Sequence, residues 1–278
     1  MATYGSYKKI TEAQLPDNGI TSDMLQAGVG NKFCSFWVKS NRAQACGECA
    51  NNGGCCCQAC GFCCQWTVPN YVSKVQFEIW SGGGGGAGMT CSNCCSYSVG
   101  GAGGGYAVKT VSTCPGCQYT ICAGGTYRCN KRHNCTGGQG CKSYVNGYNL
   151  SNFCVVGGCG GHMCNGDDNG YAFMQTCANC NICGVYGADF GAMGSTGFKL
   201  AHSGCKCQGA DYQRGGAAPY IGKYHSNMTN EYWCSCGCYL NWPAGGGASG
   251  SSTYCGDAAK CCAGGTQGGS GIVRVTFS

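Results

Sequence analysis

Pairs of cysteines separated by two residues are the feature of this chain best suited to chemistry. Two thiols at this spacing can close a disulfide or bind a zinc ion together. The chain contains 32 cysteines, so such pairs also arise by chance. The sequence predicts mainly structural disulfides, with structural zinc and free buried thiols as the two alternatives. The pairs lie at Cys46/Cys49, Cys60/Cys63, Cys91/Cys94, Cys114/Cys117, Cys177/Cys180 and Cys180/Cys183.

Zinc is favoured most at the first two pairs, because Cys46, Cys49, Cys60 and Cys63 together have nearly the spacing of a zinc ribbon. Runs of adjacent cysteines, such as 55–57, instead favour disulfides from one strand to two separate partners. We therefore predict no cofactor and keep structural zinc as the lesser alternative.

Two further metal motifs are incomplete. His162 lies between Cys159 and Cys164, but a surface histidine is the simpler interpretation. The segment that begins at Asn165 matches part of a calcium loop, yet Thr176 stands at the twelfth position, where a bidentate Glu is required. Neither motif is predicted to bind a metal.

Catalytic motifs are missing from the sequence. It contains neither a G-x-S-x-G elbow nor a Walker motif. The acids Asp167 and Asp168 face no second acidic cluster, as two-carboxylate glycosidase chemistry would require. The glycine run 82–88 continues into cysteine-rich chain rather than a helix, which argues against dinucleotide binding. The sequence thus predicts a protein that is not an enzyme.

Aromatic residues among Gly, Asn and Ser are the candidate recognition residues, because this composition is typical of adaptable binding surfaces. Packing of the rings into small loop cores is the alternative. The candidates for receptor binding are Tyr186, Phe190, Tyr212, Tyr220, Tyr224, Tyr232, Trp233, Tyr239 and Trp242.

The composition explains why cross-links are needed. The chain has 53 glycines, which lose much backbone entropy on folding, and little aliphatic core material. The net charge is +6 with scattered basic residues, so no nucleic-acid partner is predicted. Apolar runs fall short of the roughly 20 residues of a membrane span, so no membrane partner is predicted either. Many cysteines without a signal-peptide pattern fit a particle assembled in a cell and then released into an oxidising medium.

Short alternating strands are predicted around glycine-rich loops. In 66–80, Val75, Phe77 and Ile79 alternate with polar residues and give one buried face. Further strands are predicted at 36–38, 106–111, 118–122 and 271–278, and the last is expected to pair back with the first ones. The fold class predicted is all-β: a small antiparallel β-sandwich with long glycine- and cysteine-rich, cross-linked loops and an extended N-terminal anchor.

The chain divides into three parts. Residues 1–32 contain no cysteine and carry Ile10, Leu15, Ile20 and Leu25 at five-residue intervals, which favours an extended segment that packs on other chains. Residues 33–65 form a cysteine-rich region. Residues 66–278 are predicted as the glycine-rich β-sandwich domain, with insertion loops at 126–242.

The order of four segments resembles the glycine-rich domain of bacteriophage tail fibres and adhesins. These segments are VPNYVSKVQFEIWSGGGGGAG, GGAGGGYAVKTV, PGCQYTICAGG and the closing GGSGIVRVTFS. The N-terminal ITEAQLPDNGITSDMLQAG is similar to segments that attach phage fibre proteins. The cysteine-rich insertions resemble those of some marine cyanobacterial phages and leave 126–242 without a matched motif.

The resemblance implies a structural virion protein, a tail-fibre or adhesin-like component that contacts the host surface. A capsid-decorating or cement protein that stabilises the particle is the alternative. The implied partners are other virion proteins of the fibre, baseplate or capsid, and a glycan or protein of the host surface. A homotrimer is expected, because fibres are commonly trimeric. The protein would assemble in the host cytoplasm and mature in the virion outside the cell.

Overall fold

The computed structural model describes residues 34–40, 61–87, 96–125, 137–161, 163–165, 173–175, 184–200, 213–214, 216–220, 244 and 268–278. These residues form strands and no helix, so this part of the chain offers no apolar helix long enough to cross a membrane. The strands are β1 (Cys34–Lys39), β2 (Phe62–Thr67), β3 (Lys74–Trp80), β4 (Ser96–Ser98), β5 (Tyr106–Ser112), β6 (Gln118–Ala123), β7 (Ser143–Gly147), β8 (Leu150–Val155), β9 (Met163–Asn165), β10 (Phe173–Gln175), β11 (Val185–Tyr186), β12 (Phe190–Ala192), β13 (Phe198–Leu200), β14 (Gln213–Arg214) and β15 (Ile272–Phe277).

Two five-stranded antiparallel sheets build the domain. The first sheet has the order β1-β15-β3-β5-β12, and the second has the order β11-β8-β7-β6-β2. Two smaller sheets, β10-β13-β14 and β4-β9, accompany them. The predicted all-β antiparallel sandwich is therefore confirmed.

The closing strand pairs as the sequence predicts. β15 lies between β1 and β3 and is antiparallel to both, so the two ends of the described chain meet in the first sheet. In β3 the side chains of Val75, Phe77 and Ile79 are fully buried, as their alternation with polar residues indicates. The segment 66–80 is not one strand, however. A turn at Pro69, whose carbonyl accepts from the amide of Val72, separates β2 from β3.

Aromatic and aliphatic side chains together fill the core between the two sheets. Phe77 of the first sheet packs on Tyr119 of the second with ring centroids 5.0 Å apart. Phe36 and Trp66 form a similar pair at 5.5 Å. Val145 and Phe153 complete the second sheet's inner face, and both are fully buried. These rings pack among the valines and isoleucines that make up most of the buried cluster.

Part of the stretch 126–242, predicted as insertion loops, belongs to the sandwich itself. β7 and β8 form a hairpin at the centre of the second sheet, and β11 and β12 add an edge strand to each sheet. The hairpin turns at Asn149, which has a φ of 53°. Asparagine tolerates this left-handed conformation better than most residues.

The glycine-rich segments lie together at one end of the sandwich. The segments 81–87, 99–105, 137–142, 156–161 and 268–271 all begin or end at strands of the two sheets on that side. The run Gly82–Gly86, predicted as a loop, has no strand or helix assignment, yet it is buried throughout. We call this assembly of extended segments the glycine bundle.

Backbone hydrogen bonds in the glycine bundle repeat every third residue. The amides of Gly82 and Gly85 donate to the segment 137–142, at Cys141 and Gly138, over 3.0 and 2.9 Å. Between them, Gly83 donates to Gly269 over 2.8 Å, and Gly84 donates to Ala102 over 2.9 Å. A repeat of three is that of the polyproline II helix, which has three residues per turn and no internal hydrogen bonds. Each segment therefore bonds to neighbours on several sides instead of within one plane.

Close backbone approach explains why the glycine bundle requires glycine. A Cβ on Gly84 would overlap the carbonyl oxygen of Cys159, and one on Gly101 would overlap that of Gly84. The same crowding excludes side chains from the axis of the collagen triple helix.

Two buried serines join the glycine bundle to both sheets. Ser143 donates to the Trp80 carbonyl over 2.7 Å and accepts from the Gly124 amide over 2.8 Å. Ser81 donates to the Val156 carbonyl over 2.8 Å and accepts from the Gly105 amide over 2.9 Å. Each hydroxyl thus satisfies backbone groups of both sheets at the point where the strands give way to glycine.

Candidate functional site

The outward face of the first sheet carries the strongest candidate site. Antiparallel register aligns Trp37, Arg274, Glu78, Val108 and Phe190 in one row across all five strands. Cross-strand partners share a face, and the residues of β3 that alternate with this row fill the core. The row therefore points away from the core.

A second row lies beside the first and contributes Trp80 and Tyr106, which are register partners. A turn that contains Tyr220 covers these two residues and leaves them 4% and 7% exposed. We call the five rings the outer aromatic face: Trp37, Trp80, Tyr106, Phe190 and Tyr220.

The rings of the outer aromatic face contact one another in sequence. The centroids of Trp37 and Trp80 lie 6.1 Å apart in a stacked pair, and those of Trp80 and Tyr106 lie 4.6 Å apart. The Tyr220 ring meets Tyr106 edge-on at 4.9 Å and lies 6.4 Å from the ring of Phe190. Buried rings thus support exposed ones, since Trp37, Phe190 and Tyr220 are 46%, 51% and 72% exposed.

An ion pair sits beside the rings. Arg274 Nη1 lies 3.4 Å from Glu78 Oε2, and the guanidinium lies 5.6 Å from the centroid of the Trp37 ring. The Tyr106 hydroxyl donates to Glu78 Oε1 over 2.8 Å. Burial raises the pKa of Tyr106 well above its usual range, and the hydrogen bond to Glu78 raises this pKa further. Tyr106 therefore stays protonated and keeps donating at physiological pH.

The turn at Pro219 and Tyr220 is fixed by a side chain of the sheet below it. The Trp80 indole Nε1 donates to the Pro219 carbonyl over 2.8 Å. Tyr220 has a φ of 64°, which is rare for a bulky residue. Such strain persists where the surroundings hold it, and it is concentrated at binding and active sites. The geometry presents the Tyr220 ring to solvent.

The described part of the chain holds three of the predicted recognition residues. The structure brings Phe190 and Tyr220 together in the outer aromatic face, although thirty positions separate them in the chain. It puts Tyr186 elsewhere, in β11 of the second sheet. The other candidates lie outside the described residues: Tyr212, Tyr224, Tyr232, Trp233, Tyr239 and Trp242.

Sequence reasoning missed Trp37, Trp80 and Tyr106 as site residues. Trp37 and Trp80 occupy the polar-face positions of their strands, where a large ring is unexpected. These positions could have identified both tryptophans as site residues, because an aromatic residue at a solvent-facing position is typical of binding surfaces.

Two disulfides are described completely. Cys114 pairs with Cys117 across the turn before β6, and Cys63 pairs with Cys122 across the β2–β6 ladder. Because Cys63 bonds to Cys122, its sulfur is not available for the zinc ribbon considered above. Cys159 is also disulfide-bonded. The remaining disulfide candidates lie outside the described residues: Cys46, Cys49, Cys60, Cys91, Cys94, Cys177, Cys180 and Cys183.

Unbridged cysteines are also present, at Cys34, Cys64 and Cys154. Burial raises the pKa of the Cys64 and Cys154 thiols, which makes both less reactive near neutral pH. Within the described ranges no group of His, Cys, Asp and Glu is arranged to hold a metal ion. The anchoring candidates Ile10, Leu15, Ile20 and Leu25 lie outside those ranges.

Comparison with known proteins gives a match to a family model. A family model described as a glycine-rich domain matches residues 59–278, which is most of the chain. No curated protein matches the chain.

Proposed function

We propose that this chain, which belongs to the glycine-rich domain family, is a structural bacteriophage virion protein of the tail-fibre or adhesin type, without enzymatic activity. The outer aromatic face would bind a glycan of the host surface. The observation that carries the proposal is the exposure of Phe190 and Tyr220, at 51% and 72%, on a base of buried rings.

The chemistry of the outer aromatic face suits a sugar. Exposed rings held by buried ones present flat apolar surfaces at a low entropic cost of ordering. The neighbouring Glu78 and Arg274 supply an acceptor and donors for hydroxyl groups. A sugar ring has one apolar face and a rim of hydroxyls, so it matches rings flanked by an ion pair.

The scaffold suits a protein that works outside a cell. Disulfides persist in oxidising surroundings, and the second sheet carries one across adjacent strands. The glycine bundle and the sandwich are tied by buried serine hydrogen bonds. Together these features support a rigid display platform, which residues 1–32 would attach to the virion as a homotrimer that matures in the extracellular medium.

Binding to host cells tests the recognition site. Purified full-length protein should bind host cells saturably, and Tyr220→Ala and Phe190→Ala should each weaken binding by about tenfold, since truncated central aromatics cost roughly 1–2 kcal/mol or more. Tyr71→Ala is the matched control, because Tyr71 is also exposed, at 56%, but lies in the turn between β2 and β3. Thermal unfolding of each variant checks its fold. Equal binding by all three variants would remove the site assignment.

Position on the particle tests the virion role. Gold-labelled antibody should mark tail fibres or baseplate in negatively stained virions. Label on the head would favour the cement protein instead.

Deletion of residues 1–32 should abolish incorporation into virions and leave a soluble remainder. Normal incorporation of the shortened chain would contradict the anchoring role. Release of sugar from host envelopes by the pure protein would contradict the absence of catalysis.

A further inference from the structure

A groove on the outward face of the second sheet is separate from the outer aromatic face. It encloses about 260 Å³ and is lined by Lys142, Tyr144, Asn146, Asn152 and Cys154. We call it the second-sheet groove. These residues belong to the β7–β8 hairpin and to the residue that precedes it.

Strand alternation fixes which side chains face the second-sheet groove. Val145 and Phe153 are register partners and are fully buried in the core. Tyr144 and Cys154 are the next pair along the hairpin, so their side chains point to the opposite face. The groove floor is therefore part of the rigid central hairpin of the sandwich.

The second-sheet groove has a positive charge on an aromatic wall. Lys142 Nζ lies 5.4 Å from the centroid of the Tyr144 ring. The Lys142 ammonium also lowers the pKa of Cys154, against the larger effect of burial, which raises it. Among the described residues that line the groove, Lys142 is the charged one, and no carboxylate neutralises it there.

Two amides complete the second-sheet groove. Asn146 and Asn152 each carry a donor and an acceptor, a combination that suits neighbouring hydroxyl groups. Asn152 has a φ of 55°, a backbone conformation that few residues other than glycine adopt. The adjacent strand adds Tyr186, which pairs with Cys154 and is 41% exposed, so a further ring borders this face.

We propose that the second-sheet groove binds an acidic sugar unit. Lys142 would bind the carboxylate, the Tyr144 ring would pack on the apolar face of the sugar, and Asn146 and Asn152 would bind its hydroxyls. The groove is smaller than the roughly 300–1,000 Å³ of sites for drug-sized ligands, which suits a single ring of a longer chain. Because it lies on the other sheet, this site stands whether or not the outer aromatic face binds a glycan.

Calorimetric titration of the full chain with defined oligosaccharides tests the proposal. The probes are oligomers of galacturonate, glucuronate and sialic acid, each compared with its methyl ester, which keeps the ring and removes the charge. At least one acid should bind saturably, and its ester should bind at least about tenfold more weakly. Added salt should weaken binding of the acid.

Variants assign the binding to the second-sheet groove. Lys142→Gln should weaken binding of the acid by about tenfold or more, whereas Lys74→Gln, an exposed lysine of the first sheet, should leave it unchanged. Asn152→Gly keeps a backbone that tolerates positive φ and removes the amide, so it should weaken binding without loss of folding. Absence of saturable binding to all three acids, equal binding of acid and ester, or unchanged binding by Lys142→Gln would each overturn the proposal.

Discussion

The Tyr106 hydroxyl donates a 2.8 Å hydrogen bond to Glu78, and this bond joins the ring cluster to the ion pair of the outer aromatic face. Glu78 uses its other carboxylate oxygen for Arg274. Tyr106 in turn contacts the rings of Trp80, Phe190 and Tyr220. The exposed rings are therefore held in place by a tyrosine whose hydroxyl must stay protonated to make its bond to Glu78.

Alkaline pH should destabilise the protein through Tyr106. Burial and the bond to Glu78 raise its folded pKa above the unfolded value of about 10. The stabilisation is complete below that value and is lost as the pH rises through the folded pKa, because the unfolded state releases its proton first. Urea unfolding at increasing alkaline pH should show a falling free energy of unfolding.

Tyr106→Phe is the control for the alkaline experiment. It keeps the ring but removes the donor, so the variant should be less stable at neutral pH by about 1–3 kcal/mol. The alkaline decline should be shallower in this variant than in the unchanged protein. An identical decline in both proteins would show that other groups cause it.

Alanine at Gly84 should prevent normal folding. Its Cβ would overlap the Cys159 carbonyl oxygen inside the glycine bundle, where backbone has no room to move, so we expect a loss above about 4 kcal/mol. Gly116→Ala is the matched comparison. Gly116 has open space around it but a φ of 77°, so the same change should cost only about 1–2 kcal/mol. Comparable unfolding free energies for the two variants would contradict the close packing of the bundle.

Removal of the two described disulfides should have unequal effects. The Cys63–Cys122 bond spans 59 residues and the Cys114–Cys117 bond spans 3. Loop-closure entropy predicts stabilisation of about 4 kcal/mol for the first and about 2 kcal/mol for the second. Paired Cys→Ala variants compared by chemical unfolding would measure both values. A larger loss of unfolding free energy on removal of Cys114–Cys117 would show that loop-closure entropy is not the main source of the stabilisation.

Acid should weaken the attachment of β12. The Lys109 ammonium lies 2.6 Å from Asp189 Oδ1, and the Thr110 amide donates to Oδ2 over 2.8 Å. These bonds lower the pKa of Asp189 below its usual value of about 4. The stabilisation is therefore present above about pH 4 and is lost as the pH falls through the lower folded pKa.

Because Asp189 is exposed at the sheet edge, its acid effect should be small, at about 0.2–1 kcal/mol. The amide of Thr110 donates to Asp189 Oδ2, and the amide of Asp189 donates to the Val108 carbonyl. Hydrogen exchange of these two amides should speed up as the pH falls, after correction for intrinsic rates. Asp189→Asn should show the faster exchange already at neutral pH. Exchange in the unchanged protein that does not respond to acid would contradict the role of this carboxylate.

The strands with clear alternation could be predicted from the sequence. In β3 and β15 apolar side chains occur at every second position, and a period of two fits one buried face of a sheet. β7 and β8 were missed, because Ser143 and Asn146 interrupt the pattern. Val145, Phe153 and Val155 are fully buried all the same, and Asn149 at the turn was the signal that could have revealed the hairpin.

The glycine bundle and the contact of Phe190 with Tyr220 could not be predicted. Glycine has no side chain, so a run of glycines in the interior looks the same in sequence as a run in a loop. Phe190 and Tyr220 meet because one lies on an edge strand and the other on a turn bonded to Trp80. Such contacts depend on strand order and register, which local patterns do not specify.

The glycine bundle affects how stability responds to temperature. Its interior consists mainly of peptide groups, so unfolding it exposes polar surface, and polar surface lowers the heat-capacity change of unfolding whereas apolar surface raises it. A domain with such an interior should have a flatter stability curve than a hydrocarbon-cored domain of equal length. It should consequently lose less of its stability on cooling.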